Sequence, residues 1–368
     1  MISVFGSKVG KEEIDGVAAV LESQWMGFGK KVTEFEEKFA ARRGHDNFAM
    51  VDSGSNALYL AVTLLDLPPG SDVIVPAFTW VSCAQAIILS GHNPVFCDVD
   101  VETLNVTRET VEGAMTPNTR AVMVVHFAGK PADLDPIIDL GLPVIEDAAH
   151  AVDSYYYDRP CGGIGDVGIY SFDAVKNLTT GEGGGIVTRD AGKIERAKVL
   201  RYCGIGKSGF EAAAAGVGDK SRWWEYNIQE PFIKMLPTNI AAAIGIAQLD
   251  KIDDLQAYRK KIWDVYQSEF ASIDWIVRPP DAEEHEKHSY FTYVIRVPER
   301  DRLARYLFDA GVYTTLRYHP LHLNKLYKSD ARLPNSERLN EDSLSIPLHP
   351  NLTMEQVDLI VDKIKNFK

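Results

Sequence analysis

The chain has 368 residues, 45% of them apolar and 25% charged, an ordinary globular balance that excludes wholesale disorder. Asp and Glu number 52 against 39 Lys and Arg, for a formal net charge of −13. That excess argues against binding nucleic acid or an anionic membrane through the overall field, while leaving room for a local basic pocket for a small phosphate ligand.

Four cysteines, Cys83, Cys97, Cys161 and Cys203, lie far apart with no C-x-x-C pair, so neither a zinc site nor a disulfide framework is expected. The segment Met1–Lys8 has no apolar core behind a basic stretch, and no run of about 18 apolar residues predicts a spanning helix. The expectation is a cytoplasmic protein with reduced thiols and no metal.

In chain order, β-branched runs predict strands at 48–51, 73–75, 95–99, 121–126, 144–146, 168–172 and 185–188. Helical patterns fall at 56–65, 81–89 and 194–201. Strands alternating with helices mean βαβ units and a mainly parallel sheet covered on both faces. The stretch 208–222, rich in Gly and Ala, reads as a loop-like insert. Small apolar residues at helical spacing over 239–249 predict a tightly packed helix that runs on through 250–270. It bridges an expected large domain, 1–245, and a small C-terminal domain, 246–368. Strand-like pieces follow at 275–277, 290–297 and 312–317. The last helix is marked by a capping-box pair, Thr353 and Gln356, and by Val357, Ile360, Val361 and Ile364 at i, i+3, i+4 and i+7.

Four segments carry candidate chemistry. In Ser171-Phe-Asp-Ala-Val-Lys176 a lysine follows a strand and precedes a glycine-rich turn ending at Gly185. Lysines near strand ends are usually solvated. This one is flanked by Phe172, Val175 and Leu178, and a desolvated amine has a lowered pKa and acts as a nucleophile. In Val144-Ile-Glu-Asp147-Ala-Ala-His150 an apolar strand ends in two carboxylates, at the strand end where open α/β sheets bind ligands. Asp147 is either an exposed strand-end acid or helix cap, or the partner of a protonated ring nitrogen. A lysine plus such an Asp is the protein's part of pyridoxal phosphate chemistry. In Val51-Asp-Ser-Gly-Ser55-Asn56 a glycine turn opens a helix whose N-terminus favours an anion, although such turns often merely cap. Trp80, just past a strand end, either stacks on a planar ring or joins the core.

Taken together, these segments resemble the DegT/DnrJ/StrS family of pyridoxal-phosphate-dependent nucleotide-sugar aminotransferases, of the aspartate-aminotransferase fold (fold type I). The resemblance runs nearly end to end, from Gly27-Phe-Gly-Lys-Lys-Val-Thr-Glu-Phe-Glu36 through the four segments to Arg317-Tyr-His319-Pro-Leu-His322 and Leu344-Ser-Ile-Pro347. It implies an α/β architecture: a large domain with a mainly parallel seven-stranded sheet between helices, and a smaller α+β C-terminal domain.

For the site, the resemblance implies that Lys176 bonds the cofactor's aldehyde carbon and later moves the reaction's proton. Asp147 would keep the pyridine nitrogen protonated, His150 would contact the ring or its phenolic oxygen, and Trp80 would stack on it. Ser55, Asn56 and Ser171 would hold the phosphate. Tyr318, His319 and Glu182 would meet the substrate. Asn227 of Tyr226-Asn227 would reach the phosphate of a neighbouring subunit, which implies a homodimer with shared active sites. The stretch 227–239 is longer than the family's and lacks its usual Arg, so Lys234 and Asn239 stand as alternatives to Asn227.

The implied reaction moves an amino group from an amino acid, glutamate by expectation, to a nucleotide-linked keto sugar, with PLP and PMP as the two cofactor forms. The commonest family chemistry is at C4 of a 4-keto-6-deoxy hexose. Family members that instead dehydrate at C3 carry His in place of the lysine, so Lys176 favours transamination. A non-catalytic cofactor-binding regulator would not need all these groups. No G-x-G-x-x-G follows the first strand, which disfavours a dehydrogenase.

Overall fold

The computed structural model describes residues 1–208 and 226–367. The insert expected at 208–222 lies, past Ser208, outside them. Helices α1 (Lys11–Glu22) and α2 (Lys30–Arg43) lead into β1 (Phe48–Val51). Then follow α3 (Gly54–Thr63), β2 (Asp72–Pro76), α4 (Val81–Leu89), β3 (Asn93–Cys97), α5 (Arg108–Ala114), β4 (Thr119–Val125), α6 (Asp135–Ile138) and β5 (Val144–Asp147). Short strands β6 (Tyr155–Tyr156) and β7 (Arg159–Pro160) precede β8 (Val167–Ser171), β9 (Gly184–Val187) and α7 (Ala191–Leu200).

The seven-stranded sheet has the order β1-β9-β8-β5-β4-β2-β3. Every pairing is parallel except those of β9 with β1 and β8. The carboxyl ends of β1, β2, β5 and β8 therefore share one edge. Alternate side chains sort to opposite faces: Phe48 and Met50 of β1 join a core with Phe35 and Phe39 of α2, while Ala49 and Val51 join Leu58 of α3 and Ile87 of α4. With helices on both faces, β2 and β4 are buried over nearly their whole length, which is why 73–75 and 121–125 read as apolar runs.

Past β8 the sequence expectations need correction. The bridge is two helices, α8 (Asn239–Asp250) and α9 (Ile252–Glu269), broken at Lys251 with φ −116° and ψ 11°. Gly245 of α8 explains the small-residue pattern, since a Cβ there would come within 2.7 Å of the Phe35 ring. A ribbon of β10 (Ile205–Ser208) and β11 (Tyr226–Ile228) precedes α8. The C-terminal part holds β12 (Glu286–Lys287), β13 (Tyr293–Arg296), α10 (Arg300–Asp309), α11 (Pro334–Asp342), β14 (Ser343–Ile346) and α12 (Met354–Lys365). The piece expected as a strand at 312–317 makes only single bridges, Val312 to Ile2 and Thr315 to Ser345, and 275–277 makes one, Val277 to Arg296. The cap of α12 forms as expected, the Gln356 N–H donating to Thr353 Oγ1 at 3.3 Å and the Thr353 N–H to Gln356 Oε1 at 3.0 Å.

Adjacent residues on a strand point to opposite faces, and this separates the two carboxylates of β5. Glu146 is wholly buried. It accepts from His126 Nε2 at 2.9 Å and from the N–H groups of Gly162 and Ile164 at 2.8 and 2.6 Å. His126 Nδ1 accepts from the Ala132 N–H at 3.0 Å, which puts its proton on Nε2, facing Glu146. Burial alone would raise the Glu146 pKa, but these donors hold it below the ordinary value. Glu146 is thus a structural anchor for the 162–165 turn. Glu146→Ala, which strands buried donors, is expected to cost about 3–5 kcal/mol in a denaturant titration. A loss within experimental error of zero would contradict that role.

Candidate active site

The shared carboxyl edge of the sheet opens on a cavity of about 380 Å³. Three connections build it. The chain leaving β1 turns at Ser53, whose Oγ caps α3 by accepting the Asn56 N–H at 3.2 Å. Gly54 then starts α3 so close to the end of β8 that a Cβ would lie 2.7 Å from Ser171 Cβ. Glycine alone lets the helix N-terminus, with its unpaired N–H groups, close on that strand end and form a cradle for an anion. Ser55 Oγ, bonded to Ser82 Oγ at 2.7 Å, and the Ser171 side chain line the same cavity.

The second connection follows β5. Asp147 is 4% exposed. Its Oδ1 accepts the Ala149 N–H at 2.9 Å and its Oδ2 accepts the Cys83 thiol at 3.2 Å. Two donors of modest strength fix the carboxylate's orientation toward the cavity. Three residues on, His150 stacks on Phe291 with ring centres 4.1 Å apart, and its Nε2 meets the Tyr318 hydroxyl at 2.8 Å. Burial, then the nearby charges of Lys176 and Arg317, push the His150 pKa well below its ordinary value, so the ring is neutral. Its Nδ1 is buried without a partner among the described residues.

The third connection follows β8. A turn held by Lys176 N–H to Asp173 O at 3.0 Å and Val175 N–H to Asp173 Oδ1 at 3.0 Å brings Lys176 into the cavity. Its Nζ stands 4.9 Å from the centre of the Phe291 ring. Lys176 keeps some accessible surface because it faces the open cavity, yet protein packs densely around the amine. Burial lowers its pKa to about 7, with the Arg317 guanidinium acting in the same direction and Asp147 and Asp173 opposing. The neutral amine therefore gains population as pH rises through about 7, whereas an exposed lysine needs a pH near 10.4. In protein freed of small ligands, acylation of Lys176 by an amine-directed reagent is expected to rise with a midpoint near 7, as read by peptide mass mapping. A midpoint in the ordinary lysine range would contradict the burial argument.

Of the residues singled out from sequence, Ser55, Trp80, Asp147, His150, Ser171, Lys176, Glu182 and Tyr318 line this one cavity. Trp80 is the residue before α4, 53% exposed, its ring tilted 48° to that of Tyr318. Glu182 sits at the rim, its pKa raised by burial and by Asp173 and Asp52.

Three others do not line it. Asn56 Nδ2 donates to Asp52 Oδ1 at 2.7 Å, and the oxygen that caps α3 belongs to Ser53. His319 is exposed, with Nδ1 bonded to Asn340 Oδ1 at 2.8 Å. Asn227 is exposed on β11. Asn239 is ruled out as its substitute: its Oδ1 accepts the Lys31 N–H at 3.1 Å and its Nδ2 donates to Trp25 O at 3.1 Å, latching α8 to α2. The sequence reading gave no role to Ser53, Cys83, Phe291 or Arg317, all of which shape the site. Arg317 stood in a quoted motif, and Cys83 sits on α4 facing β5, but neither contact has a local signature.

Among the described residues, no group of three or more His, Cys, Asp or Glu could hold a metal, and no helix is long and apolar enough to cross a membrane.

A family model described as the DegT/DnrJ/EryC1/StrS aminotransferase family matches residues 7–365. The chain belongs to this family of aminotransferases. It is 37% identical over 374 residues to a dTDP-4-dehydro-2,3,6-trideoxy-D-glucose 4-aminotransferase of Saccharopolyspora spinosa, covering 99% of this chain and 96% of that protein. The crystal structure of the aminotransferase TlmJ from Streptoalloteichus hindustanus superposes with a TM-score of 0.93 at 36% identity, covering 99% of this chain and 98% of that one. A sugar aminotransferase, Spr1654 from Streptococcus pneumoniae, solved in a PLP form, superposes with a TM-score of 0.89 at 28% identity, covering 99% of each chain. A PMP form of Spr1654 is also known. The fold of this aminotransferase is therefore fold type I, as the sequence resemblance implied.

Proposed function

We propose that this aminotransferase uses pyridoxal 5'-phosphate to move an amino group from an amino acid, glutamate, to a nucleotide-linked keto sugar, at C4 of a 4-keto-6-deoxy hexose. The product would be an amino sugar for a surface polysaccharide or an antibiotic, made in the cytoplasm. The observation that carries this reading is Lys176, an amine with a pKa near 7, facing the Asp147 carboxylate in one cavity of about 380 Å³.

The residues present fit the cofactor. The first N–H groups of α3, with the Ser55 and Ser171 hydroxyls, would hold its phosphate. Asp147 would hold the proton on its ring nitrogen. The buried, unpartnered Nδ1 of His150 has a hydrogen bond to offer the ring's oxygen, and Trp80 offers a face for stacking. Lys176 would bond its aldehyde carbon. Bound there, PLP supplies an electron sink for the carbon that carries the amine.

The chain's own groups do the rest. Asp147, oriented by the Ala149 N–H and the Cys83 thiol, would hold the proton on the ring nitrogen. Lys176 Nζ, neutral at working pH, would take the proton from the amino-bearing carbon and deliver it to the carbon of the cofactor that began as its aldehyde. Neutral His150 orients through Tyr318 without adding a charge that would compete with Asp147. Phe5, Phe291 and Trp80 supply apolar walls that limit water.

We also propose a homodimer in which Asn227 reaches the neighbouring site. Its support is that Tyr226 and Ile228, on either side of Asn227, are 61% and 59% exposed on β11, an apolar surface suited to a second copy. The proposed division into 1–245 and 246–368 is supported by a third core cluster drawn from buried residues between Ile262 and Ile364.

The substrate assignment is tested by mass spectrometry of amine formation across nucleotide-linked 3-keto and 4-keto sugars with glutamate as donor. Amination of a 4-keto-6-deoxy hexose is the expected result. Amination of 3-keto sugars alone would overturn the C4 assignment.

A further inference from the structure

The residue after Lys176 is Asn177, which is 3% exposed and does not line the cavity. Its Nδ2 donates to Ser289 O and to Gln256 Oε1, the latter at 3.0 Å. Gln256 Nε2 donates to the same Ser289 O at 3.1 Å, so Oε1 is the Gln256 atom left to face Asn177. Turning the Asn177 amide over would set its oxygen against two other oxygens, which fixes its orientation. Its Oδ1 is then buried without a partner among the described residues. A stranded acceptor costs stability, so packing alone does not account for an amide at this position.

The bonds inside the lysine turn run from the Lys176 N–H to Asp173 O and from the Val175 N–H to Asp173 Oδ1. They shape the turn without tying it to its surroundings. Asn177 supplies a tie, and its partners lie beyond the central sheet: Gln256 on α9, Ser289 in the loop before β13. Ser289 is wholly buried and itself fixed. Its N–H donates to Gly129 O at 3.1 Å, and its Oγ accepts the Asp153 N–H at 3.0 Å. The same loop carries Phe291, whose ring centre is 4.9 Å from Lys176 Nζ. We propose that Asn177 is a positioning residue for Lys176, its amide tying the lysine turn to Ser289 and Gln256 so that the amine stays in the cavity.

This rests on the role given to Lys176 in the proposed mechanism. The groups acting on the amine are known: Arg317 lowers its pKa, Asp147, Asp173 and Cys83 raise it, and burial is the largest influence. His150 is neutral. A turn released from Ser289 returns the amine to water, and its midpoint moves toward that of an exposed lysine, near 10.4.

The experiment compares Asn177→Ala, Gln256→Ala and Leu303→Ala, the last at a fully buried position in the separate C-terminal core. In full-length protein freed of small ligands, acylation of Lys176 is followed against pH by peptide mass mapping, with a denaturant titration of each variant. For Asn177→Ala the midpoint is expected to rise by roughly one pH unit or more. For Gln256→Ala it is expected to rise by less, because Asn177 keeps Ser289 O. Leu303→Ala is expected to lose stability with its midpoint still near 7. A midpoint still near 7 in folded Asn177→Ala would overturn the proposal. If that variant does not fold, an unchanged midpoint in Gln256→Ala overturns it instead. An equal rise in Leu303→Ala would also overturn it, by marking the change as general loosening. The aminotransferase reading fails separately, if borohydride reduction of the wild-type holoenzyme fixes the cofactor on another lysine; the acylation midpoints do not depend on that result.

Discussion

Lys176→Ala is expected to lower turnover by roughly 10⁴-fold or more, because in the proposed mechanism one amine serves both as the covalent attachment point and as the proton carrier. The fold is expected to survive. In the native state the Lys176 pKa is about 7, against about 10.4 in an unfolded chain. The unfolded state therefore binds more protons between those values, and native stability rises with pH across that window. Alanine removes this contribution. At neutral pH the variant is expected to be as stable as the wild type or more so, with a flatter dependence of stability on pH. Steady-state rates and denaturant titrations at pH 7 and pH 9 check both parts. A variant that is inactive because it is unfolded would show that Lys176 is a structural residue.

Asp147→Asn is expected to lower turnover by roughly 10²- to 10⁴-fold while leaving cofactor content near that of the wild type. Asparagine keeps an oxygen for the Ala149 N–H, but it has no charge to hold a proton on a ring nitrogen. The start of α3, proposed to hold the phosphate, lies on a different connection and is untouched. A second effect follows from the same charge. Asp147 raises the Lys176 pKa against burial, so its removal moves the midpoint of Lys176 acylation to lower pH. Near-normal turnover would reduce Asp147 to a cap for the turn after β5.

The central sheet was legible because β2 and β4 are buried on both faces and so carry continuous apolar runs at 73–75 and 121–125. The final helix was legible because its cap and its buried positions, Val357, Ile360, Val361 and Ile364, each lie within one turn of the next. Features set by distant contacts were not. The break at Lys251 has no proline or glycine to announce it; there Lys251 Nζ pairs with Glu13 Oε1 at 2.5 Å. Amphipathic α10 went unnamed although Leu303 and Leu307 sit at i and i+4, both fully buried.

In the site, Lys176, Asp147 and the glycine turn were visible from local pattern alone. Asn56 was grouped with the cradle because Ser53, Ser55 and Asn56 are all short polar residues at one turn, whereas its side chain donates to Asp52 Oδ1. Only the backbone decides which oxygen caps. The thiol on Asp147 comes from 64 positions away in sequence. Arg317 stands over the Phe5 and Phe291 rings, which come from distant parts of the chain, so no local pattern announces it.

Lys176 is proposed as the one lysine that carries the cofactor. The most direct measurement is borohydride reduction of the yellow holoenzyme, followed by digestion and mass mapping of the peptide that retains the cofactor. Loss of the visible absorbance and a cofactor-derived mass on Lys176 alone are expected. A label on any other lysine, or none on the protein, would contradict it.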